Sequence, residues 1–81
     1  MVELQILSKI LATGNYSILE DNYITSEYFD GTEFENEFQF VREHYEQYGN
    51  VPDKATFLAK FPDIEFVEVT ESDKYLIDTL R

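Results

Sequence analysis

Residues 34–62, FENEFQFVREHYEQYGNVPDKATFLAKFP, decide the fold. Phe34, Phe38, Val41, Tyr45 and Tyr48 recur at alternating steps of four and three, the spacing of one helix face. That stripe predicts a helix of about four turns. Thr32 is placed to cap it, after the break at Asp30-Gly31, and Glu33, Glu35 and Glu37 suit the positive end of its dipole. Gly49 stands where a left-handed residue ends a helix, and Pro52 stiffens the turn that follows. Asp53 is positioned to cap a second helix, KATFLAKF, which Pro62 stops. The stretch therefore predicts a helix-turn-helix corner, with Tyr45, Tyr48, Phe57 and Phe61 expected to hold its angle. An aromatic stripe of this kind is more often core than ligand site.

Working outward, residues 2–13, VELQILSKILAT, place Leu4, Leu7 and Leu11 beside Ile6 and Ile10, a wide apolar helix face ended by Gly14-Asn15. Residues 16–22 suggest a short second helix. Residues 24–30 read as a connection with one helical turn, Thr25 and Ser26 being suited to cap it. IEFVEV, 64–69, is either a short strand or an extended segment, and a lone strand would have nothing to pair with in so helical a chain. From Ser72, SDKYLIDTLR is again helical, with Leu76, Ile77 and Leu80 on one side. The expected fold is all-α: a single domain over 1–81, a bundle of four to five helices with a short extended segment near 64–69.

Eighty-one residues make one small domain, and a chain of that size buries only about 60% of its unfolded surface. Without cysteine it has no disulfide and no thiolate metal site, and its one histidine, His44, cannot build a histidine-rich one. A partner, or more chain, is the staple left to it. Seventeen acidic residues against six basic give a net charge of −11, while seven Phe and six Tyr argue against a disordered acidic tail. Such a surface repels phosphate backbones. There is no apolar run near the ~18 residues that span a membrane, and the start, MVELQ, lacks a basic signal-peptide region. A cytoplasmic protein with no membrane contact is expected.

No catalytic signature emerges from the sequence. The glycines, only three, make neither G-x-G-x-x-G nor G-x-x-x-x-G-K-S/T. DGTEFE, 30–35, lacks the alternating ligands of a calcium loop and reads as a turn before an acidic helix start. His44 has no Ser or Cys nucleophile beside it and reads as a surface or interface residue. Carboxylate pairs such as Glu33/Glu37 and Glu43/Glu46 arise by chance in so acidic a chain. No enzyme activity and no cofactor is expected.

The pattern His44-Tyr45, Tyr48-Gly49, Val51-Pro52-Asp53, Thr56-Phe57 and Phe61-Pro62, followed by Glu71 and Tyr75-Leu76, resembles the N-terminal domain of DnaB-type replicative DNA helicases, in particular those of phages and prophages. ELQILSKIL is similar to that family's first helix, and ITSEYF to the segment before its long helix, so the resemblance covers nearly the whole chain. It implies a small helical bundle that pairs with its neighbours into a collar and contacts a primase or a helicase loader. The ATPase motor would lie in a separate domain beyond a linker helix starting at about 72–81. The expected role is a non-catalytic assembly domain in DNA replication that self-associates, most simply as a dimer, and does not touch DNA. Its candidate interface residues are Tyr45, Tyr48, Leu76, Ile77 and Leu80, and its corner is Gly49, Pro52, Asp53 and Phe57. The alternative is a free-standing acidic inhibitor that mimics DNA, which would need carboxylates spaced like phosphates where an assembly domain needs an exposed apolar patch.

Overall fold

Five α-helices and one 3₁₀ turn account for the regular structure of the computed structural model, which describes residues 1–81. They are α1 (Val2–Thr13), α2 (Ser17–Glu20), the 3₁₀ turn Ser26–Phe29, α3 (Glu35–Tyr48), α4 (Lys54–Lys60) and α5 (Asp73–Leu80). The fold is all-α, as expected, and no helix is long and apolar enough to cross a membrane.

Each helix ends where its chemistry dictates. Gly14 and Gly49 take left-handed φ of 73° and 78°, and their amides bond the carbonyls of Ile10 and Tyr45. The Asp53 carboxylate accepts the Thr56 amide at 2.7 Å, and the Ser72 hydroxyl accepts that of Tyr75 at 3.2 Å. Thr32 does not cap α3. Its hydroxyl donates to the Phe29 carbonyl at 2.7 Å, closing the preceding turn, so the helix starts at Glu35 without a side-chain cap. The expectation failed because the N-cap position falls on Phe34, two residues further on, and the Thr32 hydroxyl is turned to the carbonyl behind it.

The core gathers one face from every helix: Ile6, Leu7 and Ile10 of α1, Ile18 and Leu19 of α2, Phe38 and Val41 of α3, Phe57 of α4, and Leu76 and Ile77 of α5. Helix α5 lies along α1, pinned by the Lys9 ammonium, which pairs with Asp73 at 2.6 Å and donates to the Glu71 carbonyl at 2.7 Å. Residues 64–69 form no strand. Their backbone is extended past α1, and the Val67 amide donates to the buried Ser8 hydroxyl at 3.1 Å. A side chain thus supplies the acceptor that a partner strand would otherwise provide.

Candidate functional site

The corner between α3 and α4 is built as a rigid unit. Gly49 is left-handed, Pro52 and Phe57 are buried, and Asp53 caps α4. Its angle is held by aromatic rings, though not by the expected set. Phe40 lies 6.1 Å from Phe57 and 5.8 Å edge-on to Phe61, and Phe66 closes the cluster at 5.6 Å from Phe57. Tyr45 and Tyr48 take no part in it. Tyr48 points to solvent beside His44, whose ring is 4.8 Å away. Tyr45 turns to the opposite side of α3 and stacks on Tyr16, with ring centroids 4.3 Å apart and planes 17° from parallel.

A second structured region forms around that stack. The Tyr45 hydroxyl donates to Glu20 at 2.9 Å, which raises its pKa because ionisation would give up that hydrogen bond. The Tyr16 hydroxyl is raised by burial, with Glu46 and Glu20 adding to the effect and Arg42 opposing it. Two clefts open here, of about 260 and 460 Å³, on the side of α3 facing residues 24–26. Arg42 borders both. Its Nε is buried without a protein acceptor, and its Nη1 makes only a long contact of 3.4 Å to Glu46.

The candidate interface residues separate on inspection. Leu76 and Ile77 are fully buried against α1, which corrects their assignment to an intermolecular surface. The stripe that the sequence left without a destination folds back on the bundle, because the wide apolar face of α1 needs that cover. Leu80 is half-buried against the same core and Tyr45 half-buried on Tyr16. Only Tyr48 is freely exposed, at 62%; on α5 the outward aromatic is Tyr75, at 55%. The segment implied as the start of a linker helix is, within these residues, an integral core helix.

Sequence reading missed Arg42 and Tyr16. Arg42 is the only Lys or Arg in α3, among four glutamates, and that isolation was the signal available. No three acidic or histidine side chains are grouped to hold a metal ion. All six basic residues are engaged within the chain. Lys9 pairs with Asp73, Arg42 with Glu46 and Lys74 with Asp78. Arg81 donates to the Asn22 carbonyl, Lys54 lies over Phe66 and Lys60 over Phe40. The charge left to the surface is therefore acidic. No protein-family model, curated protein or solved structure matches the chain.

Proposed function

We propose that this chain is a non-catalytic assembly and interaction domain of a replicative DNA helicase of the phage and prophage type, working in the cytoplasm. It joins copies of itself, most simply as a two-fold dimer within a collar, and presents a surface to a primase or a loader. The observation that carries this reading is the corner. The residues on which the resemblance rests, Gly49, Pro52, Asp53 and Phe57, shape a packed turn between helices. Such a motif sets the angle of a protein–protein module and needs no reactive group. Two further features support it. Tyr48 and Tyr75 leave aromatic surface exposed, of the kind enriched at interfaces. Six basic residues against seventeen acidic ones leave a net charge of −11, which repels a phosphate backbone.

Reading the gene downstream of codon 81 tests this assignment. The expected result is an open frame carrying G-x-x-x-x-G-K-S/T, the phosphate loop of an ATPase motor. A stop codon directly after Arg81 would move the chain to the acidic-inhibitor class.

A further inference from the structure

We propose that the stacked pair Tyr16 and Tyr45 is an oxidative modification site, where a one-electron oxidant joins the two rings into an intramolecular dityrosine with Glu20 as proton acceptor. The inference is independent of the assembly role.

Geometry singles out this pair. Of the six tyrosines, Tyr23, Tyr28, Tyr48 and Tyr75 are the exposed ones. None of those four stacks on another tyrosine, and the ring beside Tyr48 is His44. Tyr16 and Tyr45 alone meet as a tyrosine pair, with centroids 4.3 Å apart and planes 17° from parallel. Stacking that close sets ring carbon against ring carbon in van der Waals contact. Both rings are half-buried, so an electron can leave them for an oxidant in solution.

Composition removes the competing fates. A tyrosyl radical in a protein is commonly quenched by a thiol or an indole, and this chain has neither Cys nor Trp. A radical formed on either ring of the pair therefore has the other ring as its partner.

The hydrogen bond fixes where the proton goes. A neutral phenol is hard to oxidise unless its proton leaves with the electron. The Tyr45 hydroxyl already donates to the Glu20 carboxylate at 2.9 Å, so its proton passes to Oε1 as the electron departs. Both phenols are held in their protonated form, Tyr16 by burial and Tyr45 by that hydrogen bond, which makes the acceptor matter.

The step balances. Each phenol gives one electron to the oxidant and one proton to a base, Tyr45 to Glu20 and Tyr16 to water. The two phenoxyl radicals couple through carbons ortho to oxygen, forming one C–C bond. The hydrogens on those carbons then shift to the oxygens and restore both phenols. The co-reactant is an external one-electron oxidant, of the kind peroxide generates at a haem centre, and two equivalents are reduced. Tyr16 lies on the connection from α1 to α2 and Tyr45 on α3, so the new bond closes residues 16–45 into a covalent ring. Such a ring restricts the unfolded chain, and the oxidised domain should melt at a higher temperature.

The test is photo-oxidation of the folded domain by tris(bipyridyl)ruthenium and persulfate at submicromolar protein, followed by tryptic mapping. The expected product is a monomer lighter by two hydrogens, with dityrosine fluorescence. Its cross-link should join peptides 10–42 and 43–54 through Tyr16 and Tyr45. Tyr45→Phe and Tyr16→Phe should each abolish that link, and Tyr48→Phe should leave it. Glu20→Gln should lower its yield severalfold, because an amide cannot take the proton. Circular dichroism melts report whether each variant is folded, and urea should abolish the selectivity for this pair. Four results would overturn the proposal: no such link in the folded wild type, a link that Tyr45→Phe retains, a yield that Glu20→Gln leaves unchanged, or cross-links between chains alone.

Discussion

The Nδ1 of His44 lies 2.9 Å from the carbonyl oxygen of Asn50, bridging the end of α3 to the turn that follows it. With Nδ1 protonated the imidazole donates to that carbonyl, in either charge state of the ring. The only histidine in the chain is thereby a strut of the corner. Phe40 lies below it at 6.2 Å, so the polar tie and the aromatic cluster share one helix face.

Gly49 gives the corner its left-handed backbone, which glycine adopts without strain. Its φ is 78°, and a β-carbon there would meet nothing within 4 Å. The cost of a side chain is therefore conformational and not steric. Gly49→Val should destabilise the fold by roughly 1 kcal/mol or more, and Gly49→Asn by less, since Asn tolerates the left-handed region. Thermal melts of the two variants check both the size and the order.

Phe57 is the aromatic anchor, fully buried between Phe40, Phe61 and Phe66. Phe57→Ala should cost about 3 kcal/mol, the lower end for truncating a buried ring. Urea unfolding measures it, and an unchanged midpoint would mean that the core lies elsewhere.

Asp53 gives the corner a pH dependence. The Thr56 amide holds its carboxyl below the usual carboxylate range. A depressed folded-state pKa adds stability that is fully present above the unfolded value, about 4, and fades as pH falls through the folded one. Asp53→Asn keeps a capping oxygen without the titration. Its melting temperature should fall less than that of wild type across that acidic window.

Nucleic acid and nucleotide should be ignored. With every cation engaged and a net charge of −11, the domain should not shift single-stranded DNA even at low salt, and it should not hydrolyse ATP. Gel shift and phosphate-release assays check this, and a DNA shift at micromolar protein would contradict it.

The elements legible in the sequence were those whose signal is local. The apolar face of α1, the stripe of α3, the glycine stops and the Asp53 and Ser72 caps each involve residues within a few positions of one another, and each is present. What escaped was relative placement. Phe40 lies off the i, i+4 stripe yet faces α4, while Tyr45 lies on it yet faces Tyr16. Periodicity ranks the faces of a helix but does not say which neighbour each will meet. Leu76 and Ile77 show the same limit, since a stripe on a terminal helix reads alike whether it folds back or stands exposed. Tyr23, left-handed at φ 56° and 86% exposed, carried no local sign at all. The two clefts beside Arg42 were invisible for the same reason, being made by α3 meeting a segment near residue 25.

Assembly is the central claim, and sedimentation equilibrium over a concentration series reaching tens of micromolar tests it most directly. With Leu76 and Ile77 in the core, association falls to exposed aromatic surface, so Tyr48→Asp with Tyr75→Asp is the informative variant. The wild-type domain should sediment as a reversible dimer, and the folded variant as a monomer. A wild-type domain that remains monomeric throughout the series would contradict the account.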